Sequence, residues 1–271
     1  HLVDRRTLAS TVFDGYARIG ESPLQGTGWV PPDLRWEEGD PNPVHPFPGT
    51  DGELDVPRAR DLFRDVGDRQ GEAHCLFYLS ELYREAGNLD DAEGYLDDAL
   101  ALYRELGNSS RVALCLNMFG LLHVDRGAFE EAESYLQESL ELSREVGALR
   151  NEARTLNHLG LAALSRDRFE EAERAFERGL KVAEEIGDRQ GRAYLVHNLG
   201  DLALARSDLA TAESYFRESL AIERDIGNPR GEAISYNYIG DVSRIRGNLD
   251  EAEDVLERGL DLIEDVGDRR R

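Results

Sequence analysis

The sequence predicts an all-α fold, a solenoid of five helix-turn-helix units behind a partly irregular N-terminal leader. Three observations predict it. Glycine recurs at one fixed interval, at Gly67, Gly107, Gly147, Gly187, Gly227 and Gly267, each 40 residues after the last. Between successive glycines, apolar and small residues return in the same order. Eight of the nine prolines stand ahead of this array, at Pro23, Pro31, Pro32, Pro41, Pro43, Pro46, Pro48 and Pro57, and only Pro229 lies within it. A period of a few tens of residues marks an architecture in which each unit buries its apolar face against the next.

The leader spans residues 1–56. Leu2, Leu8, Val12, Phe13, Tyr16 and Ile19 recur near helical spacing, so a short amphipathic helix is expected over 4–19. From Gly20 the prolines prevent a sustained helix, and an extended segment is expected. Trp29, Trp36 and Phe47 are unusual in a purely solvated tail, which predicts that part of this segment lies against the repeats. A start at His1 rather than methionine suggests a cloned or processed fragment. Pro57 then opens residues 57–66, whose pattern matches the ends of later units; this half-helix is expected to cap the array, with proline at its first turn.

The five units occupy 67–266. In each, a first helix is predicted to start near 69, 109, 149, 189 or 229, with Asp68, Asn108, Asp188 and Asn228 as N-caps. It ends at Gly87, Gly127 or Gly247, because glycine enters the left-handed C-terminal conformation at little cost. Arg166-Asp167-Arg168 and Arg206-Ser207-Asp208 must make the same turn without glycine. A second, antiparallel helix follows at once, as in 89–106 and 169–186. Asp90, Asp91, Glu130 and Glu131 sit early in such helices, where carboxylates favour the positive end of the dipole. Residues 267–271 are left as a short tail. Val255, Leu256, Leu260 and Ile263 of the final helix then lack a following helix, so this end is expected either to continue into further chain or to meet another copy.

Composition excludes several functions. The net charge of -23 argues against a nucleic-acid partner. No apolar run approaches the ~18 residues of a membrane span, and the N-terminus has no signal-peptide core. Cys75 and Cys115 lie one period apart; equivalent points on stacked units are ~8–10 Å apart, beyond the ~7 Å reach of a disulfide. Buried free thiols and a reducing, cytoplasmic setting are therefore expected. No phosphate-binding glycine loop, nucleophile elbow or paired zinc-cysteine motif is present, so no cofactor, metal site or catalytic residue is assigned. His158 and His197 on adjacent units, with Asp201 one turn beyond, are the nearest approach to a metal or acid–base cluster, and lone groove donors explain them as well.

Within the units the first helices carry Leu76, Leu79, Ser80; Leu116, Phe119, Gly120; Leu156, Leu159, Gly160; Val196, Leu199, Gly200; and Tyr236, Ile239, Gly240. The second helices carry Ala92, Ala132, Ala172, Ala212 and Ala252, each followed four residues later by Leu96, Leu136, Phe176, Phe216 or Leu256. Ala99, Ser139, Gly179, Ser219 and Gly259 come three residues after those. This order of large and small residues resembles the tetratricopeptide repeat. The 40-residue form, with its Gly-Asp-Arg-x-Gly opening, is similar to that of kinesin light chains, spindle-orientation adaptors and the repeat tails of bacterial regulators.

The resemblance implies a right-handed superhelix whose first helices line a concave groove for an extended peptide or a partner helix. Carried over unit by unit, the groove positions are His74, Phe77, Tyr78 and Glu81; Asn117, Met118 and Leu121; Arg154, Asn157, His158 and Leu161; Tyr194, His197, Asn198 and Asp201; and Asn237, Tyr238 and Asp241. Amides, aromatics and histidines of this kind can bond a peptide backbone while packing its side chains; helix-surface or inter-unit packing is the alternative role. The carboxylate clamp of chaperone-binding members needs several groove cations, and only Arg154 qualifies. Asp201 and Asp241 suit a basic or hydrogen-bond-donating ligand. The expected function is a non-enzymatic scaffold or adaptor for a protein or peptide ligand, with no nucleic-acid or membrane partner, as the sensing or regulatory part of a larger bacterial protein. The alternative is an autoinhibited peptide receptor whose own leader fills the groove.

Overall fold

The computed structural model describes residues 56–268. The expectations for the leader helix, the extended proline-rich segment and its place in the groove fall outside these residues. Eleven helices follow one another: α1 (Val56–Val66), α2 (Arg69–Glu85), α3 (Leu89–Glu105), α4 (Ser109–Asp125), α5 (Phe129–Glu145), α6 (Leu149–Ser165), α7 (Phe169–Glu185), α8 (Arg189–Ala205), α9 (Leu209–Ile226), α10 (Pro229–Ile245) and α11 (Leu249–Asp268). The first helix of each unit begins at its predicted residue. Helix α11 runs through Gly267 to Asp268, so the last glycine of the series does not close its helix as the earlier ones do.

Local chemistry sets these boundaries. Asp68, Asn108, Asp188 and Asn228 each accept a hydrogen bond from the backbone N–H three residues on, and Asp208 does the same for α9. At the C-termini a six-residue closure returns at every joint; Asn88 N–H donates to Tyr83 C=O at 2.8 Å, and Asp188 N–H donates to Ala183 C=O at 2.8 Å. This closure needs a left-handed residue just past the helix. Glycine supplies it at eight joints, while Asp167 (φ 56°) and Ser207 (φ 63°) adopt it with a side chain. The glycine-free turns therefore have the same shape, reached at a conformational cost.

Large-against-small packing holds each helix pair together. A Cβ on Gly160 would lie 2.3 Å from the Phe176 ring, and one on Gly200 would lie 2.5 Å from Phe216. Phe176 and Phe216 are fully buried. Ala92, Ala132, Ala172 and Ala212 are also fully buried, as their small size requires at a close crossing. Helix α1 takes the place of a preceding second helix, and its Val56 and Ala59 pack with Cys75, Tyr78 and Leu79. Cys75 and Cys115 are free and buried, and burial pushes both thiols up to about 12, which keeps them unreactive.

Every helix packs on its neighbours in sequence, and in addition α2 touches α4, α4 touches α6, and α6 touches α8. Among the described residues, no two second helices make a comparable contact. First helices therefore form the inner layer of a curved stack and second helices the outer one. At the far end Leu256, Leu260 and Ile263 are partly exposed, Leu260 by 56%. No described helix is long and apolar enough to cross a membrane.

Two sets of ion pairs bind unit to unit. Arg126, Arg166 and Arg206, each just past a first helix, reach back to acids opening the preceding second helix, such as Asp90 and Glu93 at 2.8 and 2.6 Å from Arg126. Across the joints between units, Arg64–Glu72, Arg144–Glu152 and Arg224–Glu232 pair at 2.8, 2.7 and 3.2 Å. At the fourth joint the charges are exchanged, with Glu184 facing Arg192 at 3.5 Å.

Candidate functional site: the concave face of the first helices

The side chains on the inner layer fall into columns, because equivalent residues 40 apart stack on successive first helices. One column runs Phe77, Asn117, Asn157, His197, Asn237; the next runs Tyr78, Met118, His158, Asn198, Tyr238. The two are joined on the diagonal, residue n of one helix meeting residue n+41 of the next. His158 Nδ1–H donates to Asn117 Oδ1 at 2.9 Å, since an amide oxygen can only accept. Asn198 Nδ2 donates to Asn157 Oδ1 at 2.7 Å. His197 and Tyr238 meet as rings, edge to face at 4.5 Å. Phe77 and Met118 pack in the apolar core at the first step.

This ladder changes the reading of the amides. Asn117 is buried; its Oδ1 takes the His158 proton, and its Nδ2 donates to Thr155 Oγ1 at 3.0 Å. It is a structural tie between α4 and α6 rather than a free donor for a ligand. Asn198 is likewise buried and committed to Asn157. Phe77, Tyr78 and Met118 are buried too. Burial, seconded by Arg154 and Arg84, pulls His158 down to about 3, so it is neutral and keeps the tautomer that the ladder needs. His74 is pulled down to about 4 by burial and packs 5.8 Å from the Tyr103 ring.

Beneath the ladder lies a polar seam that the sequence reading did not identify. Ser139 Oγ donates to Ala113 C=O at 2.7 Å and meets Thr155 Oγ1 at 3.0 Å, so α4, α5 and α6 share one buried network. Ser219 repeats the bond to Ala193 C=O at 3.2 Å and faces Ser235. The available signal was that hydroxyl residues occur as pairs 16 apart, 139 with 155 and 219 with 235, where the other units place alanine, glycine, cysteine or leucine.

Other predicted positions stay open to a ligand. Leu121 and Leu161 are half-buried on the inner face, Asn237 is exposed, and Tyr194 is 50% exposed with Gln190 Nε2 donating to its hydroxyl at 3.0 Å. Glu81 and Arg154 are half-buried and already engaged. Asp241 is held by Arg244 at 3.1 Å. Asp201 differs: among the described residues its one close partner is His197, 3.8 Å away, and its side chain is 23% exposed. Burial raises the Asp201 carboxyl to about 7 and lowers the His197 imidazole to about 4. The Asp201 charge in turn is the main reason that the Tyr238 phenol holds its proton more tightly. The two predicted histidines do not form a shared site, since His158 is tied to Asn117 and His197 to Tyr238. Among the described residues, no group of three or more His, Cys, Asp or Glu is placed to hold a metal ion.

Tetratricopeptide repeat models match residues 73–106, 111–185 and 189–265. No curated protein sequence matches. Among solved structures, BtubC from P. vanneervenii is 22% identical with a TM-score of 0.61, over 78% of this chain and 88% of that one. The tetratricopeptide repeat sensor-containing STAND protein of Pyrococcus horikoshii is 17% identical with a TM-score of 0.63, over 79% of this chain and 33% of its own. NprR, solved in complex with its cognate peptide NprX, is 17% identical with a TM-score of 0.60, over 76% of this chain and 62% of its own. At these identities the likeness speaks for the fold.

Proposed function

Because the chain belongs to the tetratricopeptide repeat family, we propose that it is a protein-interaction scaffold whose concave first-helix face binds an extended peptide or partner segment. The observation that carries this is the composition of the inner face after the ladder is subtracted. Leu121, Leu161, Tyr194 and Asp201, with the amide nitrogen of Asn157, remain at least partly accessible on the inner face, mixing apolar surface with amide and acidic groups. Such a surface suits an extended chain, which presents side chains and backbone groups alternately. NprR, of similar fold, is known in complex with a peptide, which supports the reading by analogy of fold. A sensing or regulatory role in a larger protein is the finer reading, supported by analogy of fold with the STAND protein whose tetratricopeptide repeats are named a sensor.

Selection of a phage-displayed random heptapeptide library on the full chain tests the proposal. Selected peptides should bind a Leu161→Glu variant at least 10-fold more weakly and should bind a Glu138→Lys variant, altered on the outer α5 face, as they bind the parent. Equal loss in both variants, or none in Leu161→Glu, would place binding elsewhere.

A further inference from the structure

We propose that the groove carries a dedicated subsite for one cationic group of its ligand, formed by the Asp201 carboxylate on α8, the Tyr238 hydroxyl on α10 and the rings of His197 and Tyr238. The proposal rests on the groove reading above and specifies the ligand chemistry at one place along it.

The first argument is charge accounting. On the first helices, Glu72 pairs with Arg64, Asp125 with Arg84, Glu152 with Arg144, Glu232 with Arg224 and Asp241 with Arg244, all at 3.2 Å or less. Among the described residues Asp201 has no arginine within ion-pair distance, and His197 is its one close partner. Its neighbour His197 does not substitute, because burial keeps that imidazole neutral above about pH 4. A partly buried carboxylate without a counter-ion is costly to maintain, and a ligand cation removes that cost.

The second argument is shape. At the two steps before it, the ladder closes with hydrogen bonds to side-chain amide oxygens, His158 to Asn117 and Asn198 to Asn157. At the fourth step it closes with rings: His197 lies 4.5 Å from Tyr238, and both stand within about 5 Å of Phe216, at 5.2 and 4.8 Å. The carboxylate thus stands at the border of an aromatic cluster, with the His197 Nε2 edge 3.8 Å away, and aromatic rings of this kind attract a guanidinium or ammonium group. Among the described residues the Tyr238 hydroxyl makes no hydrogen bond, and it can accept one from the same cation. The chemistry is common to an arginine side chain, a lysine side chain and a peptide N-terminus.

Positional-scanning mixtures of hexapeptide amides, measured by fluorescence polarisation on the full chain, separate these sources. Acetylated mixtures with Arg or Lys fixed at one position should bind at least 10-fold tighter than mixtures with neutral citrulline there. Unacetylated mixtures lacking internal cations should gain equally only if the terminal ammonium is the group held. In Asp201→Asn the basic preference should disappear while citrulline mixtures still bind. Binding without any basic preference, or a preference that survives Asp201→Asn, overturns the subsite and leaves the groove reading standing. Absence of binding by every mixture overturns both.

Discussion

Asp201 should cost the protein stability, and the cost should depend on pH. Burial raises its carboxyl from an ordinary value of 3.8 to about 7. Between those values the unfolded chain has released the proton while the folded chain keeps it. The unfolded state then binds fewer protons, so stability falls as pH rises through this window and levels off above about 7. Asp201→Asn removes the titration. From pH 5.5 to 7 the window covers about 1.5 units, worth about 2 kcal/mol at ~1.4 kcal/mol per unit. The side chain retains 23% exposure, and solvent screening trims the expected gain to about 1–2 kcal/mol. His197 titrates in both proteins and cancels in the difference. Urea unfolding followed by circular dichroism at pH 5.5, 6.5, 7.5 and 8 gives the comparison. The variant should gain stability relative to the parent across the series and plateau above pH 7. A difference that is flat with pH, or that favours the parent at pH 8, would falsify the account of Asp201 as an uncompensated carboxylate.

Four further outcomes follow from packing, turns and joint charges. Gly160→Ala should destabilise by about 1–2 kcal/mol in urea unfolding, because the strain against Phe176 exceeds the helix-propensity gain; Gly94→Ala, on α3 with nothing within 4 Å, should stabilise by about 0.5–1 kcal/mol. Ser207→Gly should raise the midpoint by an amount equivalent to about 0.5–1 kcal/mol, since glycine adopts the left-handed turn without strain. Glu184→Arg should cost about 0.3–1 kcal/mol through repulsion with Arg192, and the double variant Glu184→Arg/Arg192→Glu should recover most of it, read as the coupling energy of a double-mutant cycle.

The helices were legible because their signals are local and repeated five times. Asp68 or Asn228 caps a helix through a bond to its own neighbour, and a glycine past a C-terminus acts within one turn. The small positions Gly160 and Gly200 were legible for the same reason, since their large partners return at fixed spacing. The site was legible only as a surface. Which amides are free depends on contacts between units, and Asn117 and Asn157 look alike in sequence, yet one is consumed at both ends and the other only at its oxygen. Asp201 and Asp241 also occupy the same place in their units, and Arg244 beside Asp241 is what separates them. The amide difference arises between helices 40 residues apart and leaves no local mark, whereas Arg244, three residues from Asp241 where the preceding unit has Leu204, was there to be read in the sequence.

The exchanged pair at the fourth joint has a consequence for how the array could be edited. All joints close with one turn geometry, so the backbone alone would permit any whole unit to be cut out and the ends rejoined. The side chains discriminate. Excising residues 109–148 brings Arg104 opposite Glu152, an acceptable match. Excising 149–188 sets Arg144 against Arg192, and excising 189–228 sets Glu184 against Glu232, like charges in both cases. The first shortened chain should therefore melt above the other two. Glu184 and Arg192 act as a key between the third and fourth units, fixing the order of modules whose turns would otherwise be interchangeable.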